Sequence, residues 1–327
     1  MEQRTLGRTG RPVSVVGLGT WQLGADWGAV EDKDAVAVLE AAVDAGVTFF
    51  DTADVYGDGR SESTIGAFLR DNPGLDVLVG TKMGRRVDQT PENYTLANFR
   101  QWIDRSRTNL GVDTLDLVQL HCPPTAVYSS EEVYDALDTL VGEGVISNYG
   151  VSVERTDEAL AAIARGTTAS VQIILNAFRL KPLDEVLPAA QAAGVGIIAR
   201  VPLASGLLSG KYTTDTAFAE DDHRNYNRNG AAFDVGETFS GVDYATGVGA
   251  AREFADLVPD GVTTAEAALA WIIAQEGVST VIPGARNPEQ ARANAAAAGH
   301  AGLGAELSAA VADIYDRHFR AAVHPRW

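Results

Sequence analysis

Eight short apolar runs recur along the 327-residue chain, and segments of mixed polar and apolar character separate them. Each run is continuous instead of alternating, which is typical of parallel strands that are covered on both faces. The runs are VSVVGLG (13–19), VTFFD (47–51), DVLVGTK (76–82), LDLVQLH (115–121), VISNYGVS (145–152), SVQIIL (170–175), VGIIAR (195–200) and STVIPG (279–284).

Helical segments are predicted between these runs. Ser129 with Glu132, and Thr263 with Glu266, have the spacing of a capping box ahead of an apolar helix. Strand–helix alternation eight times over predicts an α/β fold, a (β/α)8 TIM barrel that forms a single domain over 1–327. A doubly wound sheet is the alternative, but it usually has fewer strands.

Two segments fall outside the regular alternation. RTLGRTGRPVSVVG near the N-terminus predicts a short hairpin that plugs the bottom of the barrel. Residues 205–247 form a long connection after strand seven, and its part 221–247 is polar and rich in Gly and Asn. A connection of this length is usually functional or disordered, so we predict a lid or binding loop. The alternative is a tolerated surface insertion.

Composition and charge narrow the function classes. The formal net charge is −18, which makes nucleic acid and anionic membranes poor partners. The chain has no run of 18 apolar residues, no apolar signal core at its start and a single cysteine, Cys122. These features predict a cytoplasmic protein without a transmembrane helix. The acidic excess suggests halophilic adaptation; a GC-rich genome explains the few lysines but not the charge.

Polar side chains follow three neighbouring strands at their C-terminal ends, where barrels of this kind carry their chemistry. Asp51 ends strand two, Lys82 strand three and His121 strand four, and Tyr56 follows Asp51 in the same loop. A free phenol has a pKa of about 10, and a nearby ammonium should lower it. Asp51 would anchor Lys82, and His121 would orient a carbonyl. Singly each residue has an ordinary structural explanation; together they predict proton donation to a C=O group, which needs a hydride source.

Other chemistries have weaker support in the sequence. The remaining histidines have no metal-ligand spacing, so no metal is predicted. Neighbouring residues of a strand point to opposite sides, which argues against a nucleophilic pair of His121 and Cys122. Gly17, Gly19 and Gly24 lack the GxGxxG spacing of a dinucleotide-binding fingerprint. A lyase or isomerase function is not supported, because the sequence shows neither a phosphate-binding loop nor a set of metal ligands.

Over essentially its whole length the chain resembles the aldo-keto reductase family. The resemblance rests on GLGTWQLG, FFDTADVYG, GTKMG, LVQLHCPP, ARVPLASGLLSGKY and VIPGARNPEQARAN. It is greatest for a bacterial or archaeal branch that includes inositol-locus-type reductases and potassium-channel β subunits. The resemblance implies that Asp51, Tyr56, Lys82 and His121 form a catalytic tetrad. It also implies NADP(H) as the preferred cofactor, NAD(H) as a second option, and a small aldehyde, ketone or alcohol as substrate.

The resemblance also implies a set of cofactor contacts. The nicotinamide end would be bordered by Gly19, Thr20, Trp21 and Asp51, and its carboxamide held by Ser152 and Gln172. The pyrophosphate channel would be lined by Pro202, Leu203, Ala204, Ser205, Gly206 and Lys211. The adenosine end would be held by Gly284, Arg286, Gln290 and Asn294. Independently, IPGARNPEQ leads into a predicted helix whose N-terminus should attract an anion, and an arginine there suits a phosphate.

Two positions depart from the family pattern. Many relatives have Ser-Asn after strand five, where this chain has Ser152-Val153, so one amide contact to the nicotinamide is lost. Many relatives also stack an aromatic residue on the nicotinamide at the end of strand seven, where this chain has Arg200. A guanidinium can stack on a flat ring, so Arg200 is predicted to contact the cofactor.

The sequence therefore predicts a carbonyl–alcohol oxidoreductase, with a slow, redox-sensing binding subunit as the alternative. Neither the physiological substrate nor an oligomeric state follows from the residues. Trp21, Trp27, Met83 and the C-terminal tail, including Trp327, are candidates for shaping the substrate pocket.

Overall fold

The computed structural model describes residues 1–24 and 32–327, and in these ranges the predicted barrel is confirmed. Its strands pair in parallel in chain order, each with the next. They are β3 (Leu18–Gly19), β4 (Phe49–Asp51), β5 (Leu78–Met83), β6 (Leu117–His121), β7 (Tyr149–Ser152), β8 (Ser170–Ile174), β9 (Gly196–Arg200) and β10 (Val278–Val281).

Hydrogen bonds between the first and last strands close the barrel. The Gly17 amide donates to the Val281 carbonyl at 2.8 Å, and the Gly19 amide donates to the Pro283 carbonyl at 3.0 Å. Every residue of β5 to β10 is buried. Burial on both faces explains why these strands appear in the sequence as continuous apolar runs.

Helices lie between the strands and after the last one, and α10 and α12 pack against each other outside the barrel. The described helices are α1 (Trp21–Gly24), α2 (Asp32–Asp44), α3 (Arg60–Asp71), α4 (Leu96–Leu110), α5 (Glu131–Gly142), α6 (Thr156–Ile163), α7 (Val186–Ala193), α8 (His223–Tyr226), α9 (Tyr244–Ala255), α10 (Thr264–Ile273), α11 (Pro288–Ala296), α12 (Ala301–His318) and α13 (Arg320–Val323). Among them, none combines the length and the hydrophobicity that a membrane span requires.

The predicted capping boxes have different outcomes. Thr263 and Glu266 form the box that their spacing indicates, at the start of α10. The box predicted for Ser129 is wrong, because α5 is capped one residue later: the Ser130 hydroxyl accepts from the Val133 amide. Two consecutive serines precede α5; the position of Glu132 favours the first as the cap, but the helix begins after the second.

The predicted N-terminal hairpin is present and lies at the bottom of the barrel. Strands β1 (Gln3–Thr5) and β2 (Pro12–Ser14) pair in antiparallel. Leu6 and Val13 are fully buried inside the barrel, in a cluster with Phe49, Leu78, Leu117, Ile198 and Ile282. The prediction that the run 13–19 is a single strand is therefore wrong. Its first residues belong to the hairpin, and its last two belong to the barrel. A continuous apolar run does not reveal this division, since both parts are buried.

The segment 205–247 after β9 is ordered and partly buried. It contains α8, most of a 3₁₀ helix (Ala204–Ser209), two further 3₁₀ helices (Val235–Glu237 and Phe239–Gly241) and the first residues of α9. Asn227 is fully buried, and its side-chain oxygen accepts from the amides of Ala232 and Phe233 at 2.9 and 3.0 Å. Buried hydrogen bonds of this kind let a polar, Gly-rich segment hold a defined path.

The C-terminal residue packs against this segment instead of covering the barrel mouth. Trp327 is 6% exposed, and its indole N–H donates to the Asp234 carboxylate at 3.1 Å. The Arg179 guanidinium lies 4.2 Å from the centre of the Trp327 ring. The C-terminal tail thus contacts the segment 205–247 at Asp234 and Gly241.

Candidate active site

The ammonium of Lys82 lies at the centre of the four residues that the sequence singled out. Its Nζ donates to Asp51 Oδ1 at 2.6 Å, to the Thr52 carbonyl at 2.8 Å and to the Tyr56 hydroxyl at 3.3 Å. Lys82 is 1% exposed. Burial alone would lower the pKa of Lys82, but the charge of Asp51 and the Tyr56 phenol outweigh it and raise the pKa. Lys82 is therefore a permanent cation beside the phenol.

Two glutamines complete the surroundings of Asp51. The Gln172 amide donates to Asp51 Oδ2 at 2.7 Å, and the Gln119 amide lies 3.4 Å from the same oxygen. Both glutamines are buried, on β8 and β6. Gln172, expected to hold the cofactor carboxamide, thus gives one amide proton to Asp51. Gln119 was not predicted, and an inward-facing polar residue inside an apolar strand was the signal for it.

Tyr56 stands on the rim between Trp21 and His121. Its ring is nearly parallel to that of Trp21, with centroids 6.0 Å apart, and meets His121 edge to face at 5.9 Å. Burial raises the pKa of Tyr56, and Lys82 opposes this without cancelling it. The lowering effect predicted for Lys82 is present, but burial of the phenol outweighs it, and the extent of burial does not follow from the sequence.

His121 ends β6 and is held neutral. Burial lowers the pKa of His121 well below its usual value, and the cations Arg85, Lys82 and Arg200 lower it further. Its Nδ1 is buried without a hydrogen-bond partner in the described part of the chain. A proton on Nε2 leaves only a lone pair unsatisfied at Nδ1 and provides a donor for the cleft.

A cleft of about 400 Å³ runs from this site to the start of α11. Of the predicted site residues, those that line it are Gly19, Thr20, Trp21, Asp51, Tyr56, His121, Ser152, Gln172, Arg200, Pro202, Leu203, Ser205, Gly206, Lys211, Gly284, Arg286, Gln290 and Asn294. Lys82 lies behind Asp51 and Tyr56 and does not line the cleft. Ala204 does not line it either: it is fully buried in the turn that begins the 3₁₀ helix, where its φ is 48°.

The structure bears on the predictions made for Met83 and for the pair of His121 and Cys122 near the mouth of the cleft. Met83 is 1% exposed and packs in the hydrophobic core, so it does not shape the cleft. His121 and Cys122 both line the cleft, because Cys122 has a φ of 47° and the strand alternation ends there. Burial raises the pKa of the Cys122 thiol to about 12, which keeps it protonated. Trp27 lies outside the described residues.

Arg200 lies at the end of β9 within a buried group of charges. Its Nη2 donates to Glu154 Oε1 at 2.7 Å and to the Val153 carbonyl at 3.0 Å. Burial raises the pKa of Glu154 to about 8; Arg200 opposes this, and Glu237 adds to it. Cys122, Glu154 and Glu237 bring ligand-type atoms within 4.8 Å of one another, but Arg200 already pairs with Glu154.

The far end of the cleft is built on the turn before α11, which begins near Pro288 as predicted. The Asn287 side chain caps the helix by accepting from the Gln290 amide at 2.9 Å. Gln290 in turn accepts from the Arg286 amide at 2.8 Å, and Asn294 donates to the Gly284 carbonyl at 3.1 Å. Arg286 is exposed, and its guanidinium forms no ion pair or hydrogen bond within the described residues.

The segment 205–247 contributes cleft residues that sequence reasoning missed. Arg224 lines the cleft, pairs with Asp222 and donates to the Tyr212 hydroxyl. Glu237 also lines it and pairs with Arg85, whose Nη2 lies 3.0 Å from Glu237 Oε1. These residues come from a segment without periodicity, so only the polar composition of the segment indicated a functional role.

Residues 15–316 match the model of the Aldo/keto reductase family. The chain belongs to the aldo/keto reductase family. This confirms the resemblance seen in the motifs, and it makes the protein an oxidoreductase of that family. The match covers the strand ends that carry Asp51, Lys82 and His121, together with the turn before α11.

Individual relatives agree with this assignment. The chain is 29% identical over 327 residues to the uncharacterized oxidoreductase YqkF of Bacillus subtilis, covering 97% of this chain and 99% of the relative. It is 31% identical over 306 residues to a probable voltage-gated potassium channel subunit beta of Oryza sativa, covering 89% of each. The structure superposes with a TM-score of 0.66 on an aldo/keto reductase from Klebsiella pneumoniae in complex with NADP and acetate, at 27% identity over 91% of this chain and 90% of that one.

Proposed function

We propose that this family member reduces aldehydes or ketones to alcohols with NADP(H), and that Tyr56 is the proton donor. The observation that carries the proposal is the position of Lys82 Nζ, 2.6 Å from Asp51 and 3.3 Å from the Tyr56 hydroxyl, at the end of an open cleft. Lys82 places a buried positive charge where the phenolate would form, and Asp51 keeps that charge in place.

In the proposed reaction, the side chains of the site divide three tasks. The Tyr56 hydroxyl gives its proton to the carbonyl oxygen, and Lys82 stabilises the phenolate that remains. Neutral His121 donates a hydrogen bond from Nε2 to the same oxygen and orients the carbonyl. NADPH would supply the hydride. In the oxidative direction Tyr56 takes the proton back.

Three features of the cleft support a dinucleotide as its ligand. At Gly206, where φ is +100°, a Cβ would lie 2.5 Å from the Tyr212 hydroxyl, so a glycine keeps this part of the channel wall intact. Arg200 has a buried Nε without a partner within the described residues, at the end where the nicotinamide is proposed to lie. Arg286 offers an exposed guanidinium beside the N-terminus of α11 for a phosphate.

NADP(H) is proposed over NAD(H) for two reasons. The Klebsiella relative is described in complex with NADP. Arg286 offers a forked cation to the 2′-phosphate, in a protein that otherwise carries a net charge of −18. NAD(H) would keep the other contacts of the cleft but lack a partner for Arg286. The segment 205–247 is proposed to be a binding loop, since several of its residues line the cleft.

A carbonyl and alcohol panel assayed with both cofactors tests the proposal. We expect NADPH-dependent reduction of at least one aldehyde or ketone at roughly 1 s⁻¹ or faster, the lower end of ordinary enzyme turnover. We expect weaker activity with NADH. Turnover far below this rate with every substrate and both cofactors would contradict the enzymatic proposal.

A redox-sensing subunit is the second candidate function. Its support is the 31% identity to a probable potassium channel subunit beta over 89% of each chain. Such a subunit would bind the cofactor and report its redox state to a partner, with slow turnover. The same panel separates the two functions: cofactor binding without competent turnover favours the subunit, and turnover at an ordinary enzymatic rate favours the reductase.

A further inference from the structure

Arg85 connects the strand that carries His121 to the segment 205–247, several residues of which line the cleft. It follows the end of β5 by two residues. Its Nε donates to the His121 carbonyl at 3.2 Å, and its Nη2 donates to Glu237 Oε1 at 3.0 Å. Glu237 belongs to the segment 205–247, and 9% of its side chain is exposed. One guanidinium therefore bridges two parts of the site that are more than 100 residues apart in the chain.

Glu237 depends on its two cationic neighbours. Its second oxygen lies 4.0 Å from Arg200 Nη1, so the carboxylate lies between Arg85 and Arg200. Burial alone would raise the pKa of Glu237, but these two guanidinium groups lower it below its usual value. A buried carboxylate that loses a partner is strongly destabilised in place. Glu237 is thus a strong electrostatic anchor for its part of the segment.

The backbone around Glu237 extends this anchor to the cofactor channel. The Ser205 hydroxyl donates to the Glu237 carbonyl at 3.2 Å, and the Phe239 amide donates to the Ser205 oxygen at 3.0 Å. Ser205 lines the cleft in the part assigned to the pyrophosphate. A displacement of Glu237 would therefore disturb both the substrate end and the channel.

We propose that Arg85 and Glu237 are a pair of positioning residues. Their ion pair holds residues 234–241 against the cleft, and the hydrogen bond from Arg85 to the His121 backbone carbonyl fixes the end of β6. The proposal rests on the proposed function, because it gives His121 its role in orienting a carbonyl. The positions of residues 234–241 and of His121 are then coupled through Arg85, while Gln89 Nε2 also donates to the His121 carbonyl at 3.2 Å.

The charges around His121 give the pair a second effect. The cations that face His121 are Lys82 from β5, Arg85 from the following loop and Arg200 from β9, and the uncharged Tyr56 ring meets it from the loop after β4. Removal of Arg85 takes away one of three cations that hold the pKa of His121 down. A catalytic pH profile therefore reports on Arg85 separately from folding.

Hydrogen exchange on the full chain tests the structural half of the proposal. The variants are Arg85→Gln, Glu237→Gln and their combination. Arg100→Gln is the matched control, since it removes an arginine that pairs with Glu143 on the exposed surface. Each single variant should speed amide exchange across 234–241 by roughly tenfold or more, given the usual loss on breaking a buried ion pair. The double variant should exchange no faster than the faster single one, and the control should match wild type.

An exchange rate equal to that of wild type in either single variant, or fully additive effects in the double variant, would overturn the proposed pairing of Arg85 and Glu237.

The kinetics of Arg85→Gln with NADPH and a carbonyl substrate test the catalytic half of the proposal. The value of kcat should fall, and the acidic limb of its pH profile should move to higher pH. Arg85→Lys should restore most of the protection at 234–241 but not kcat, because one ammonium cannot bridge both acceptors; full recovery of kcat would contradict the bridging role. If wild type reduces no carbonyl, the proposed function fails, while the exchange data still decide whether the pair holds the segment.

Discussion

Replacement of the buried Asp54 by asparagine should make the protein less sensitive to rising pH. Asp54 lies in the loop between Asp51 and Tyr56. It is fully buried, and neither of its carboxylate oxygens has a hydrogen-bond partner within the described residues. Burial raises the pKa of Asp54 from 3.8 to about 7; Glu62 adds to this, and Arg86 and Arg105 oppose it. Asparagine keeps the shape of the side chain and removes the ionisation.

The sign and size of the effect follow from the two pKa values. Between pH 3.8 and about 7 the folded state keeps a proton on Asp54 that the unfolded state releases. The free energy of unfolding therefore falls as pH rises through this window, and the full loss is present above it. Each unit of pKa difference is worth about 1.4 kcal/mol, so the difference between 3.8 and about 7 sets an upper bound of about 4 kcal/mol.

Urea unfolding at pH 4.5 and pH 8 measures this contribution. The stability of Asp54→Asn relative to wild type should rise between the two pH values by about 1 to 3 kcal/mol, because part of the full difference is already lost at pH 4.5. The comparison across pH is the readout, because an unpaired asparagine amide carries a penalty that does not change with pH. Asp71→Asn, at an exposed carboxylate in the last turn of α3, is the control and should leave the difference unchanged. A variant with the same pH dependence as wild type would refute the reasoning.

Three further predictions concern the site and the surface. Lys82→Met should slow turnover and move the basic limb of the reductive pH profile to higher pH, because Lys82 opposes the raised pKa of Tyr56; an unchanged profile in a folded variant would contradict this. Arg286→Ala should weaken NADPH binding by roughly one to two decades, the value of a charge-assisted contact of about 1.5–3 kcal/mol, and leave NADH binding nearly unchanged; equal losses in titrations would show that Arg286 does not bind the 2′-phosphate. The melting temperature should rise between 0.1 and 2 M KCl, because screening reduces repulsion in a chain of net charge −18; a flat or falling value would refute the halophilic hypothesis.

The strand-end residues were predictable because topology alone brings them together. Continuous apolar runs mark parallel strands, and in a barrel the C-terminal ends of neighbouring strands share one rim. Asp51, Lys82 and His121 each end or nearly end such a run, so their proximity follows without side-chain detail. Tyr56 was predictable for a related reason, since a loop of a few residues after β4 cannot carry it far from Asp51.

The remaining parts of the site depend on features that no local pattern encodes. Glu237 reaches Arg85 across 152 positions of sequence, from a segment without helix or strand periodicity. The raised pKa of Tyr56 depends on how deeply its ring is buried, and the sequence shows only that Lys82 is near. The prediction that Ala204 lines the pyrophosphate channel was wrong because the turn 204–206 has positive φ values throughout. This turn directs Ala204 away from the channel that its neighbours line.

Single-turnover reduction by Tyr56→Phe is the most direct test of the central claim that the phenol donates the proton. The substitution removes one oxygen, and the ring can keep its packing against Trp21 and His121. The chemical step with saturating NADPH and a carbonyl substrate should slow by roughly 10²–10⁴, the usual contribution of a general acid. NADPH affinity should stay near the wild-type value. A variant that retains more than about a third of the wild-type rate of the chemical step would contradict the assignment of Tyr56 as the acid.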